Sequence, residues 1–176
     1  MYKTIITIDP GTGGGISVYH NGKAEVVNMP EGVKAINRCL KSLDERFDNI
    51  ILFIEKVQSF GAGDNDRGKS FAIGKMLKNY AELITIIQLI GFHYVEVPPI
   101  TWQTTLKLKE KRPKEIEYSK WKTMRKRAYK EYALLHFPYI KVTLKTSDAL
   151  CLIKFAIEKM QHDIKWVTDR IQNTED

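Results

Sequence analysis

The sequence lacks most of the features that mark the commoner hydrolase and cofactor classes. Its 176 residues include only two cysteines, Cys39 and Cys151, far apart and within apolar helical patterns. That spacing excludes a disulfide framework and a paired-cysteine zinc site, and it points to buried reduced thiols in a cytoplasm. The four histidines, His20, His93, His136 and His162, lack metal-ligand spacing. No Gly-x-Ser-x-Gly elbow offers a serine nucleophile. The run Gly11-Thr12-Gly13-Gly14-Gly15 is neither a Walker loop nor a dinucleotide fingerprint, since no Gly-Lys-Ser/Thr follows and the next element reads as a strand. It either brings backbone close to a phosphate or simply makes a tight turn. No apolar run approaches a membrane span, and no basic-then-apolar leader opens the sequence. The expectation is a soluble protein, with no membrane partner, that stays where it is made.

Charge is present, but unevenly. The net charge is +7, from 28 Lys and Arg against 21 Asp and Glu. Residues 107–130 hold eleven of the basic residues and three of the acidic ones, which leaves 28 − 11 = 17 basic against 21 − 3 = 18 acidic elsewhere. One segment therefore makes the protein basic. Such a block suits a polyanionic partner, with a solvated helix face as the plain alternative.

Length and composition predict one α/β domain over residues 1–176. Lys3–Asp9 reads as a strand, and Gly15–His20 with Lys23–Asn28 as a hairpin about Asn21-Gly22. Ile36, Leu40, Leu43 and Phe47 mark an amphipathic helix over about Glu31–Asp48. Ile50–Val57 is a nearly continuous apolar run, as in a central strand buried on both faces. After a loop over Gln58–Gly68 comes a long helix, about Lys69–Ile90, with Ile73, Leu77, Tyr80, Ile84 and Ile87 on one face. His93–Val97 is a short strand stopped by Pro98-Pro99. The basic segment reads as a loop to Glu117 and then a helix to His136. Thr146 or Ser147 is placed as the cap of a last helix to about Gln161. The tail, about 162–176, reads as an extra helix or a frayed end.

Two acidic residues stand where packing alone does not put them. Asp9 ends the strand Ile5–Ile8, and Glu55 follows directly on Ile50–Ile54. If those strands are central, parallel and adjacent, their carboxyl ends bring the two carboxylates side by side, an arrangement that repels unless a cation joins it. Hard Mg²⁺ suits such a set. Asp148, in the first turn of the last helix with Leu152 and Phe155 on its face, is carried to the same edge. Taken singly, each has a plain alternative: a turn residue for Asp9, a salt-bridged strand end for Glu55, a dipole-favoured helix start for Asp148. Together they suit two metal ions about 4 Å apart that activate water against a phosphodiester.

With these residues in view the chain resembles the RuvC family of Holliday junction resolvases, within the ribonuclease-H-like superfamily, and its short phage-type members in particular. Ile8-Asp9-Pro10-Gly11-Thr12-Gly13-Gly14-Gly15-Ile16 is similar to the family's first-strand signature. Phe53-Ile54-Glu55-Lys56-Val57 is similar to the second, and Ser147-Asp148-Ala149-Leu150 to the last. Phe71–Gly91 followed by Val95–Trp102 resembles the family's long helix, short strand and Pro-x-x-Trp segment. The likeness spans roughly residues 3–160 in the right order. It implies a five-stranded mixed sheet flanked by helices, a homodimer acting on four-way or otherwise branched DNA in recombination and repair, and Asp9, Glu55 and Asp148 as ligands of Mg²⁺, with Mn²⁺ substituting. It also implies a branch-point aromatic after the glutamate, for which Phe60 is the candidate. In one respect the chain departs from the pattern: where relatives carry a fourth acidic residue or a histidine, it has Leu144 and Lys145. Lys145 is a candidate for holding a water or stabilising transition-state charge, with a solvent-facing lysine as the plain alternative.

The expected DNA surface combines Lys120, Lys122, Arg125, Lys126, Arg127 and Lys130 with the interleaved Tyr118, Trp121 and Tyr129. Helical spacing puts Trp121, Met124 and Ala128 on its buried face and the basic residues outward. Arg67, Lys69 and Lys75, near the start of the long helix, are further candidate phosphate contacts. Rival readings are a ribonuclease-H-like nuclease acting on RNA–DNA hybrid or RNA, and a catalytically silent junction-binding module. An actin- or sugar-kinase-like ATPase needs two such halves, and the chain has room for one.

Overall fold

A computed structural model of the chain describes residues 2–57 and 67–172, with the side chains of residues 67–70 left out. The order is β1 (Thr4–Asp9), β2 (Gly15–His20), β3 (Lys23–Asn28), α1 (Val33–Arg46), β4 (Ile50–Glu55), α2 (Arg67–Ile90), β5 (Tyr94–Val97), α3 (Pro99–Thr105), α4 (Tyr118–His136), α5 (Ser147–His162) and α6 (Ile164–Thr168). The five strands form one mixed sheet in the order β3-β2-β1-β4-β5. β1 lies antiparallel to β2 and parallel to β4, and β4 is parallel to β5.

Strand periodicity divides the core. Ile6, Ile8, Leu52 and Ile54 face α1 and α2, while Ile5, Ile51 and Phe53 face α3, α4 and α5. Side chains alternate along a strand, so the polar residue that ends each run belongs to the face of the residue two before it. Asp9 follows Thr7 and Glu55 follows Phe53 onto the α5 side. The register that pairs Ile8 with Ile54 sets Asp9 beside Glu55. Asn21 and Gly22 both have positive φ, 49° and 80°, as the expected hairpin turn requires.

Several expectations are corrected. Pro98-Pro99 stops β5, but Pro99 also opens α3, because a proline at the first helical position loses no hydrogen bond. Only the later part of α2 packs on the sheet: Met76 and Leu77 are each 37% exposed, whereas Leu83, Ile86 and Ile87 are buried. The helix settles where the Tyr80 hydroxyl donates to Glu96 on β5 (2.6 Å) and Lys56 donates to the other oxygen of that carboxylate (3.1 Å). The buried face of α4 is Trp121, Tyr129 and Ala133, with Met124 and Ala128 exposed. Trp121 is common to both faces, and the ring of Tyr129 with Ala133 outweighs one methionine and one alanine when the helix must choose which side to bury. The tail forms α6, buries Val167, and bridges Gln172 to Tyr94 at the edge of β5.

The contact that fixes α5 is polar. Thr7 and Ser17, cross-strand partners on β1 and β2, are fully buried, and their hydroxyls lie 2.7 and 2.9 Å from the Ala149 carbonyl in the first turn of α5. Those hydroxyls are also 2.6 Å apart. Each has one hydrogen to give, so at most two of the three close contacts are hydrogen bonds at any moment. This junction holds the residue next to Asp148 against the middle of the sheet. Replacing both hydroxyls, Thr7→Val with Ser17→Ala, is expected to lower stability by about 1–3 kcal/mol in urea titrations. A loss no larger than that of a surface substitution would show that the hydroxyls do not hold α5.

Candidate active site

Asp9, Glu55 and Asp148 line one open cleft of about 660 Å³. β1 and β4 deliver the first two from adjacent strand ends, and the first turn of α5 delivers the third. Gly14 makes the arrangement possible. A Cβ at that position would sit 2.1 Å from the Asp9 carbonyl oxygen and 2.9 Å from its Cγ, so the turn after β1 closes over Asp9 only because this residue has no side chain. The tight-turn reading of the glycine run therefore holds at Gly14, although Gly11, Gly13 and Gly14 also line the cleft.

Each carboxylate has its own support. The Trp102 indole, fully buried on α3, donates from Nε1 to Glu55 Oε2 at 2.7 Å. The Ser147 hydroxyl lies 2.9 Å from Asp148 Oδ1 and 3.3 Å from the Leu144 carbonyl. Lys126 of α4 enters the cluster from above: its Nζ is 2.7 Å from Asp148 Oδ2 and 3.8 Å from Asp9 Oδ2. The electrostatics follow from burial. Loss of solvent, then repulsion from Asp148, pushes the Asp9 carboxyl up to about 7 against the pull of Lys126. Glu55 is pushed up to about 8 by burial first and then by Asp9 and Asp148, with the Trp102 hydrogen bond and Lys126 opposing. Burial works against the charge on Lys126, but the neighbouring carboxylates outweigh it and raise its pKa.

A divalent cation fits the chemistry of this donor set. Hard oxygen ligands outnumber the single ammonium among them, and two of the three have their affinity for protons raised by burial first and by mutual repulsion second, a cost that a bound cation would offset. Among the described residues, however, no three acidic, histidine or cysteine side chains close into a ready-made cage. Lys126 occupies the space between Asp9 and Asp148.

The structure brings together some of the other expected residues and not others. Lys75, Lys122, Arg125 and Lys126 line the cleft. Lys120 and Arg127 are exposed and Lys130 half-buried, all three away from it. Lys145 is exposed and does not line the cleft; in the described contacts only its backbone N–H is engaged, by Thr143. Phe60 lies outside the described residues, as do the side chains of Arg67 and Lys69. Lys126 corrects the expectation of an outward phosphate contact, because the rotation of α4 set by Trp121 and Tyr129 turns it inward. Tyr129 is likewise no stacking platform: it is buried edge-on to Trp102, with ring centroids 5.2 Å apart. Sequence reasoning missed Trp102 as a support of Glu55. Its signal was an indole in a short, otherwise largely polar helix, where a buried N–H must find an acceptor.

The raised carboxyls set a sign for pH dependence. Each binds its proton more tightly in the folded chain than in the unfolded one. Its contribution to stability is therefore complete below the ordinary values of 3.8 and 4.5 and is lost as pH rises through about 7 and 8. In chelator, the melting temperature is expected to fall from roughly pH 5 to pH 9, and Asp9→Asn or Glu55→Gln should flatten that fall. Curves parallel to the wild type would show that these carboxyls are not desolvated together.

The sequence matches no protein-family model and no curated protein. Solved structures do match. RuvC from T. thermophilus in complex with a Holliday junction substrate aligns with 92% of this chain and 97% of its own, at 16% identity and a TM-score of 0.53. A second structure of Thermus thermophilus RuvC aligns with 90% of this chain and 96% of its own, at 15% identity and a TM-score of 0.47. At such identity the first likeness speaks for architecture. The chain has the ribonuclease-H-like fold in the form seen in RuvC.

Proposed function

We propose that this protein is a metal-dependent endonuclease that hydrolyses phosphodiesters in branched DNA, four-way junctions among them. The observation that carries the reading is the convergence of Asp9, Glu55 and Asp148 in one open cleft whose rim holds Lys75, Lys122 and Arg125. Clustered acids at the floor and cations at the rim suit a polyanion whose phosphate must approach a metal. The likeness to a RuvC solved with a Holliday junction supports branched DNA over other nucleic acids. A homodimer, with one cleft for each of two strands cut, belongs to the same proposal.

Asp9, Glu55 and Asp148 would hold Mg²⁺, or Mn²⁺ in its place. Such an ion supplies a nucleophile from water at neutral pH and Lewis-acid stabilisation of the phosphoryl oxygens. The chain's own contribution is positioning. Trp102 fixes the orientation of the Glu55 carboxylate, Ser147 that of Asp148, and Gly14 lets the backbone pass close over Asp9. Lys75, Lys122 and Arg125 can meet the phosphates that flank the scissile one. The Arg125 guanidinium is steadied by the Tyr129 hydroxyl, which accepts from its Nε at 3.1 Å. Lys145, exposed and away from the cleft, has no part in this proposal.

Asp9→Asn, Glu55→Gln and Asp148→Asn are each expected to lower Mg²⁺-dependent cutting of a synthetic four-way junction by at least a thousandfold, about 4 kcal/mol of barrier. Junction affinity should change by only a few-fold. A panel of junction, RNA–DNA hybrid and linear duplex tests substrate class: preferential cutting of the hybrid would sink the DNA-junction reading, and binding without cutting would support a silent module. Reversing Lys75 and Lys122 together to Glu should weaken junction binding and reduce the slope of log affinity against log salt by about two units. An unchanged slope would place the DNA path elsewhere.

A further inference from the structure

The expectation of two metal ions meets an obstacle in the cleft, a cation that belongs to the chain. Lys126 Nζ lies between two carboxylates on different elements, 2.7 Å from Asp148 Oδ2 and 3.8 Å from Asp9 Oδ2. Its side chain is only 29% exposed. This is no wandering surface lysine. The turn of α4 that carries it is fixed by Trp121 and Tyr129 below, and Tyr129 packs on the Trp102 ring that holds Glu55. The scaffold that orients one carboxylate thus also aims the ammonium at the other two.

We propose that Lys126 serves as the second cation of the site, so that the protein binds one divalent ion per cleft instead of two. The inference rests on the nuclease reading above and specifies its ion count. Two independent observations support it. The ammonium already occupies the Asp9–Asp148 side of the cluster. Glu55 commits Oε2 to Trp102, which leaves its other oxygen and Asp9 for an ion.

Charge counting agrees. Three ionised carboxylates and one ammonium leave two negative charges, which one divalent ion cancels. A second such ion would face the ammonium across a poorly solvated gap, with no additional carboxylate to offset the repulsion. The tethered cation has a further use. Because it cannot diffuse away, it can meet a phosphate oxygen in the cleft whenever the substrate draws it from Asp148, in the manner of the basic groups that stabilise phosphoryl transfer.

Mn²⁺ binding to the full-length chain, without DNA, tests the assignment. Calorimetric titration should give one Mn²⁺ per chain for the wild type, with the electron paramagnetic resonance spectrum of an isolated ion. Lys126→Met should bind two, with the spectrum of a spin-coupled pair, and Lys126→Arg should again bind one. Circular dichroism in saturating Mn²⁺ verifies that each variant is folded. Should Lys126→Met prove unfolded, Lys126→Gln, which removes the charge but keeps a polar side chain, takes its place with the same expected count of two. Two coupled ions in the wild type would overturn the proposal. So would a single ion in folded Lys126→Met, at whatever affinity, since Lys126 would then only tune one metal site. If neither the wild type nor any variant takes up Mn²⁺, the nuclease reading itself fails, an outcome distinct from a wrong ion count.

Discussion

Three carboxyl groups crowded at the end of an apolar sheet repel one another and lose solvent at the same time, and much of the surrounding structure answers that constraint. Burial is the larger force on Asp9 and Glu55, ahead of mutual repulsion. The compensation is partial: one ammonium, one indole N–H and one serine hydroxyl for three acids. A site built for stability would be expected to supply more donors or fewer acids. The shortfall of positive charge is what makes a divalent cation the natural complement of the cleft.

The supports are spread through the fold in a way that couples it to the site. Trp102 comes from α3, Lys126 from α4 and Asp148 from α5, while the acids they serve end β1 and β4. The Tyr129–Trp102 contact joins α4 to α3, and the Thr7 and Ser17 hydroxyls lock the first turn of α5 to the two strands. Small movements of any of these helices would change the spacing of the carboxylates. The rim cations carry a looser demand, since meeting a phosphate in solvent tolerates a long flexible side chain.

What the sequence by itself determined is the part governed by local periodicity and chain order. The apolar runs ending in Asp9 and Glu55 identified two buried strands and put their acids at carboxyl ends. Asn21-Gly22 specified its hairpin, and the Asp148–Leu152–Phe155 spacing brought a third acid to the same edge. These readings succeeded because a two-residue strand period, a turn needing positive φ, and a helical repeat are each written in neighbouring residues. Only the tertiary structure decided the rest. The rotation of α4 depends on which rings find room against α3 and α5, so Lys126 turned inward although its own segment reads as an outward basic stripe. The Trp102 hydrogen bond, the closure of Gly14 over Asp9 and the exposure of Lys145 likewise depend on distances between groups remote in sequence or on the path of a turn, which no local pattern encodes.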